Sequence, residues 1–310
     1  MDPPRRPVRG RQRRAQLRSP PAGRRQGLQR TFQGVTARAP AAAGLRSRTR
    51  LVFALRAGRT VLAVRDLGAP LKAIRPFPLA DGRALLQLIS AAPGLFGGDD
   101  YELDIEVEPG ARALVVAASA AKLHSMVPGA RARQTVRLRV AEGASLEYHP
   151  GRNIPFPQAD YEQVLQASVD PRGRLALVES WAMGRLHRGE RFLFRRLSAR
   201  TAIDRAGQPL YRDALELAPS AGRLPEQGLL EGAHYCVAGV WCGPAGEPSP
   251  EPSIPFCEED AVLGPFAPGC WYLRGLFRDG LAADDAVRAA QAAADAAWSH
   301  SSYDWARFAP

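Results

Sequence analysis

The chain has 310 residues, which is enough for one large domain or two ordinary domains with a substantial hydrophobic core. Its formal charge of +11 is unevenly distributed, because residues 1–50 contain 14 Arg, no Lys and one acid, which leaves a formal charge of −2 for the rest. No stretch reaches about 18 uninterrupted apolar residues, and no apolar segment precedes a cleavage-like site. We therefore expect neither a membrane-spanning helix, nor a membrane partner, nor a secretory signal.

The first 48 residues are rich in Arg, Pro, Gly, Gln and Ala and show no hydrophobic period. This composition predicts a basic disordered tail over residues 1–48, followed by a single β-rich domain over residues 49–310. Three interpretations of the tail stay open: a nonspecific basic extension or upstream start, contact with nucleic acid through phosphate charge, and a targeting presequence. The first is favoured, so nucleic acid is not an expected partner.

Short apolar or alternating runs indicate many strands along the rest of the chain. The clearest is residues 101–108, where Leu103, Ile105 and Val107 alternate with acidic residues. Further strands are predicted at 61–64, 84–89, 113–118, 134–140, 163–169, 175–178, 192–203, 234–241 and 271–277. One helix is predicted near the end, at about 282–298, with Asp284 and Asp285 in or near its first turn.

A weak internal repeat runs through the strand region. Residues 107–114, 140–146 and 169–175 each combine a strand, a glycine-containing turn and a second strand. Recurring β-units of this size are typical of stacked architectures, although tight turns can also have similar amino-acid sequences in folds without stacked units. We therefore predict a mainly β fold, with a stacked or helical β-sheet architecture of many short strands and few helices, including one C-terminal helix.

The four cysteines, at positions 236, 242, 257 and 270, form no CxxC pair. Without a secretory signal, free thiols in a reducing cytoplasm are expected. Cys236 and Cys242, with His234 nearby, could offer ligands to a soft metal. On one extended strand they would lie roughly 20 Å apart, so buried small hydrophobic side chains are the favoured interpretation.

Four carboxylates fall at predicted strand ends or tight turns: Asp99, Glu147, Glu179 and Glu190. A pair of such acids could cleave a glycosidic bond, and β-helical folds often carry that chemistry. The alternative is that each carboxylate accepts backbone hydrogen bonds in a turn, which is favoured for any one of them. No histidine has a metal-binding spacing such as HExxH.

Five short motifs occur in a fixed order along residues 51–217. They are Gly97-Gly98-Asp99, Ala120-Ala121-Lys122-Leu123-His124, Glu147-Tyr148-His149-Pro150, Ile154-Pro155-Phe156 and Gly189-Glu190-Arg191-Phe192. This ordered set resembles the UreD (UreH) family of urease accessory proteins, with Gly97, Gly98, Lys122, Pro150, Phe156 and Gly189 as structural motif positions. The chain departs from the family pattern at His124, where tyrosine is usual, and at His149, where leucine is common.

The resemblance implies a scaffold without catalytic residues that assists nickel insertion into apo-urease in the cytoplasm. Its implied partners are a helical UreF-like accessory protein, a nickel-carrying UreG-like GTPase and apo-urease itself. No tightly bound cofactor is implied, and Ni²⁺ would bind only transiently. Sparse carboxylates hold this borderline ion weakly, so by the motif match Asp99, Glu179 and Glu190 are the candidate contacts on a nickel path. A β-helical carbohydrate-active enzyme with paired carboxylates is the alternative function.

Overall fold

The computed structural model describes residues 44–221, 224, 230–247, 261–298 and 300. Within these ranges the chain forms twenty strands, one α-helix and two short 3-10 turns, so the mainly β prediction is confirmed. The strands are β1 Arg46–Arg56, β2 Arg59–Asp66, β3 Leu71–Ala73, β4 Phe77–Pro78, β5 Ala84–Ser90, β6 Asp100–Val107, β7 Arg112–Ala117, β8 Ala121–Leu123, β9 Ala132–Val140, β10 Ser145–His149, β11 Arg152–Pro155, β12 Asp160–Val169, β13 Arg174–Ala182, β14 Gly184–Arg185, β15 Glu190–Arg191, β16 Arg196–Arg205, β17 Gln208–Leu217, β18 Tyr235–Cys242, β19 Ala261–Ala267 and β20 Cys270–Phe277. The helix α1 spans Gly280–Ala297 and the 3-10 turns span Leu186–Arg188 and Pro219–Ala221.

Most of the predicted tail and Cys257 lie outside the described residues. The tail boundary at residue 48 needs one correction, because β1 already begins at Arg46. Residues 46–48 pair with the start of β6, so the ladder of backbone hydrogen bonds holds them in the sheet despite their polar composition.

Two large sheets make up the fold. The seven-stranded sheet has the order β17-β16-β12-β9-β6-β1-β2, and the eleven-stranded sheet has the main order β19-β20-β18-β13-β10-β7-β5-β3 with β4, β8 and β11 as branches. The central strands of both sheets are parallel, whereas the outer pairs are antiparallel. Strands β14 and β15 form a separate two-stranded ribbon.

The predicted repeat is a true stack. Each unit has a strand in the seven-stranded sheet, a tight turn and a strand in the eleven-stranded sheet, as in β6–β7, β9–β10 and β12–β13. Successive turns are bonded to one another, since Ala141 N donates to Val107 O at 3.0 Å and Asp170 N donates to Val140 O at 2.9 Å. The repeated sequence pattern therefore reflects one turn geometry that recurs in three successive units of the stack.

The interior between the two sheets contains two apolar clusters. The first is aliphatic and includes Leu51, Leu86, Leu138 and Leu165, all fully buried. The second lies further along the same strands and includes Tyr161 and Trp181. Because side chains alternate along a strand, the inward positions of both sheets fill this space together.

The outer face of the eleven-stranded sheet is covered by α1. Ala283, Ala286, Ala290 and Ala294 are buried against β13, β18 and β20, so the small alanine side chains let the helix lie close to the sheet. The helix begins earlier than predicted, because Asp279 is its N-cap and accepts from Leu281 N and Ala282 N. Asp284 and Asp285 consequently lie in the second turn rather than the first.

The predicted strand at 192–203 is also shorter, because β16 begins at Arg196 and Phe192 has a positive φ of 58°. In the part of the chain that the structure describes, no helix is long and apolar enough to cross a bilayer.

Candidate functional site

A band of polar side chains crosses the interior where the two apolar clusters meet, and its tyrosines are also members of those clusters. On β13, Leu177 belongs to the first cluster and Trp181 to the second, and Glu179 lies between them on the same face. On β9 and β12 the corresponding inward positions are Gln134 and Gln163, which are direct neighbours across the sheet. Together these strands form what we call the interior polar layer: Tyr101, Gln134, Tyr148, Tyr161, Gln163 and Glu179.

Hydrogen bonds join this layer from one sheet to the other. The Tyr161 hydroxyl donates to Gln134 Oε1 at 2.6 Å and is 3.3 Å from Gln163 Oε1. Gln163 Nε2 then donates to Glu179 Oε1 at 2.5 Å. An amide on the seven-stranded sheet therefore contacts a carboxylate on the eleven-stranded sheet, across the centre of the fold.

The pKa of the Glu179 carboxyl lies near neutral pH. Burial, with a smaller contribution from the nearby Asp213 charge, raises its pKa to about 7 against the opposing effects of the Gln163 hydrogen bond and the Arg274 charge. Burial and the charge of Glu179 also raise the pKa values of the Tyr148 and Tyr161 hydroxyls, so both stay protonated. Glu179 is thus the member of the layer that can exchange a proton near pH 7.

A cavity of about 130 Å³ adjoins the layer. Every member of the layer except Tyr161 and Glu179 lines it. The motif residues Lys122 and Pro150 line it too, and Lys122 is exposed to solvent. The cavity lining therefore reaches from the surface to Gln163, the amide that bonds Glu179.

Asp99 caps the turn that precedes β6. Its Oδ1 accepts from Leu45 N at 2.8 Å, and its Oδ2 accepts from Phe96 N at 2.8 Å and from the Tyr101 hydroxyl at 3.2 Å. These three donors use both carboxylate oxygens, which is the arrangement of a structural turn cap.

Glu190 lies on the two-stranded ribbon. It forms a two-pronged ion pair with Arg185, whose Nε and Nη2 donate to the carboxylate at 2.5 Å and 2.6 Å. The three candidate nickel contacts from the family resemblance, Asp99, Glu179 and Glu190, therefore bond to three separate sets of residues. The structure places Glu179 in the interior polar layer, Asp99 in a turn and Glu190 in a ribbon.

The glycines of the motifs serve the turns beside these acids. Gly98 has a φ of 96°, a conformation that side chains disfavour. A Cβ on Gly97 would lie 2.8 Å from Ala130 Cβ, so the turn packs too closely for a side chain. Gly189 ends the 3-10 turn with a φ of 72° and leads directly into Glu190.

An aromatic column at the surface joins two of the motifs, through His124 and Phe156, with Phe96. The Phe96 and His124 rings stack at 4.3 Å, and His124 meets the edge of Phe156 at 4.7 Å. The Arg185 guanidinium lies over the Phe156 ring, 3.9 Å from its centroid. Phe96 is 42% exposed, so the column presents an apolar end to solvent.

A buried ionic cluster under α1 was not anticipated from the sequence. The Arg83 guanidinium is fully buried and its Nη1 lies 2.7 Å from Glu147 Oε1 and 2.5 Å from Asp295 Oδ1. His300 Nδ1 is 3.1 Å from the same Glu147 oxygen. The cluster therefore ties α1 to the eleven-stranded sheet through charged groups separated by more than 140 residues.

The spacing of Glu147, Asp295 and His300 would also suit a metal ion. The Arg83 guanidinium already bridges the two carboxylates, so an arginine supplies the positive charge there. Burial alone would raise the pKa of Glu147, but the His300 hydrogen bond and the Arg83 charge hold it below its usual value. We therefore regard this cluster as structural.

The carbohydrate-active alternative needs two carboxylates that face one substrate. Glu147 faces α1 and Glu179 faces the interior, on opposite sides of the same sheet. Asp99 and Glu190 have partners in two other places. No two of the four acids nominated from the sequence share a cleft, so the geometry does not favour glycoside cleavage.

Comparisons with known proteins agree with the arrangement of motifs. The family model for UreD urease accessory protein matches residues 45–303. A urease accessory protein UreD of Deinococcus radiodurans is 32% identical over 255 residues, which cover 80% of this chain and 91% of the relative. A UreD 1 of Synechococcus is 40% identical over 197 residues, which cover 63% of this chain and 73% of the relative.

Proposed function

This chain belongs to the UreD family of urease accessory proteins and has a role in urease maturation, and we propose that it is a scaffold that binds apo-urease and assists nickel insertion. We further propose that Ni²⁺, as cargo, crosses the interior polar layer. The observation that carries the nickel proposal is Glu179, a buried carboxyl bonded to Gln163, which lines a cavity that reaches the exposed Lys122.

The pKa of Glu179 suits a brief contact between its carboxyl group and Ni²⁺. With a pKa of about 7, the carboxyl exchanges a proton for a cation at little cost near neutral pH. When Ni²⁺ leaves, a proton can return to the same oxygen. A permanently charged buried carboxylate would instead hold the ion, and a permanently neutral one would not attract it.

The remaining members of the layer also suit transfer rather than storage. Amide and hydroxyl oxygens are weak donors for Ni²⁺, and the layer contains neither thiolate nor imidazole. Tyr148 and Tyr161 stay protonated, so they contribute polarity without additional negative charge. A site of one titratable carboxyl and several neutral oxygens would release the ion readily.

The aromatic column supports a proposal about partner binding. Phe96 and Val127, which line one surface depression, are 42% and 68% exposed, and Leu193 is 48% exposed. An apolar surface of this kind suits the apolar face of an amphipathic helix. We propose that the helical UreF-like partner covers it.

Urease activation tests the nickel proposal. In a host that expresses urease and the other accessory proteins but lacks this chain, Glu179→Gln should reduce urease activity at least about tenfold relative to wild type. Glu106→Gln, which alters a partly exposed acid on β6 that pairs with Arg50, is the matched control and should retain full activity. Full activity of Glu179→Gln would refute a role for this carboxyl in nickel transfer.

Copurification tests the partner surface. Phe96→Ser should weaken capture of the helical partner by about tenfold or more, since a buried aromatic side chain commonly dominates an interface. Val262→Ser is the control, because Val262 is 58% exposed on β19 at the far edge of the eleven-stranded sheet. Equal capture by the two variants would place the partner elsewhere.

A further inference from the structure

Two buried cysteines face each other at the ends of neighbouring strands. Cys242 is the last residue of β18 and Cys270 is the first residue of β20. The antiparallel register pairs them directly, so their side chains lie on the same face of the sheet. Both residues are fully buried within the first apolar cluster.

The direct cross-strand pairing of these two residues is compatible with a disulfide. Directly opposed residues of an antiparallel pair have Cα atoms about 4.5–5.5 Å apart. Disulfides span Cα separations of about 4.4–6.8 Å. The two thiols are already within hydrogen-bond contact of each other.

An arginine lies beside the pair. Arg205 Nη2 is 3.8 Å from Cys270 Sγ and also donates to Gly243 O at 2.5 Å, which fixes the guanidinium in place. The hydrogen bond from Cys242 and the Arg205 charge lower the pKa of Cys270 to about 7, and the same contact raises the pKa of Cys242. One thiol therefore ionises near neutral pH while its neighbour stays protonated.

We propose that Cys242 and Cys270 are a peroxide-sensitive dithiol that hydrogen peroxide converts into a cross-strand disulfide. The Cys270 thiolate attacks one peroxide oxygen and breaks the O–O bond, which gives a sulfenic acid and hydroxide. The Cys242 sulfur then attacks the sulfenic sulfur, the S–O bond breaks, and the leaving hydroxide takes the Cys242 proton as water. Two thiols lose two electrons in total and one peroxide is reduced to two waters.

The bond would join the C-terminal part of the fold covalently to its centre. β18 is bonded to β13, which carries Glu179, whereas β20 leads directly into α1. Oxidation would close the chain between residues 242 and 270 and constrain the unfolded state. For a loop of this size, the Tm of the oxidised protein should rise by about 5–10 °C.

Peptide mapping of the full chain tests the proposal. Trypsin is unsuitable, because no Lys or Arg lies between residues 224 and 273 and all four cysteines stay in one peptide. Chymotrypsin separates them, since it cleaves after Trp241, Phe256 and Phe266, each of which lies between two successive cysteines. After hydrogen peroxide treatment and alkylation, mass spectrometry should find Cys242 linked to Cys270, and dithiothreitol should remove the link.

Cys236→Ala is the matched control. Cys236 is buried on the same strand but lies opposite Leu276, so the variant should keep both the link and the Tm rise. Cys270→Ala should lose both. Free thiols at Cys242 and Cys270 after treatment of the folded wild type would overturn the proposal, and so would a link to Cys236 or Cys257 in its place.

Discussion

The turn around Asp99 and the interior around Glu179 each bury one carboxylate but supply it with different numbers of donors. Asp99 accepts from two backbone N–H groups and one hydroxyl. Glu179 accepts from the amide of Gln163, and its pKa is raised to about 7. The donors around a buried acid, rather than its burial alone, therefore distinguish the turn cap at Asp99 from the sparsely bonded carboxyl of Glu179.

Glu147 extends the comparison to a third buried carboxylate. Its partner is the fully buried Arg83 guanidinium, which also pairs with Asp295. Of the three acids, Glu147 is the one that pairs with a fully buried positive charge, and Glu179 has the fewest donors. Substitutions at the three positions should therefore separate the contribution of each carboxylate to stability from its contribution to function.

The largest effect is expected at the ionic cluster. Arg83→Met would leave buried carboxylates without their guanidinium and should lower the free energy of unfolding by about 3–5 kcal/mol, as measured by urea denaturation. Arg48→Met is the control, because its ion pair with Asp104 involves a side chain that is 70% exposed, and the loss should be below about 1 kcal/mol. Similar losses for both variants would contradict a structural role for the cluster.

A smaller loss is expected at the turn. Asp99→Ala removes the acceptor for three donors, two of them backbone N–H groups, and should cost about 3 kcal/mol in urea denaturation. Asp100→Ala, the adjacent acid at the start of β6, should cost less than about 1 kcal/mol. If the two variants were equally stable, Asp99 would not be the cap that its contacts indicate.

The substitution at Glu179 should stabilise the protein in a pH-dependent way. Its pKa is raised from 4.5 to about 7 on folding, so the folded state binds the proton more tightly between these values. Wild-type stability should therefore fall as the pH rises from about 4.5 through about 7. Glu179→Gln does not ionise, and at pH 8 it should be more stable than wild type by up to about 3 kcal/mol.

Thermal unfolding of wild type and Glu179→Gln across this pH range measures the difference. The two melting temperatures should agree near pH 4.5 and separate as the pH rises. A constant difference across the range would show that Glu179 does not titrate with a raised pKa. Loss of urease activation in a variant that is more stable would separate the function of Glu179 from folding.

Much of the fold was predictable from local patterns. The alternation of Leu103, Ile105 and Val107 indicated β6, and the repeated glycine turns indicated the stack, because both signals depend on neighbouring residues. The alanine-rich helix was likewise visible. Its start was misplaced, because the N-cap Asp279 precedes the alanine-rich segment and carries a weaker signal than the helix interior.

The interior site was only partly predictable. The family resemblance nominated Glu179, but Gln163 and Tyr161 were not singled out, since a polar residue in an alternating strand does not show which sheet faces it. The Arg83–Asp295 contact joins residues 212 positions apart, and the pairing of Cys242 with Cys270 depends on β18 and β20 being neighbours. Such contacts follow from sheet order, which local patterns do not determine.

Nickel delivery by the purified components tests the central claim most directly. Apo-urease would be incubated with the partner proteins, Ni²⁺ and either wild-type chain or Glu179→Gln, and the nickel bound per urease active site would then be measured by mass spectrometry of the isolated enzyme. We predict that Glu179→Gln assembles with its partners as wild type does but delivers at least about tenfold less nickel in the same time. Equal delivery by the two proteins would contradict a nickel path through the interior polar layer.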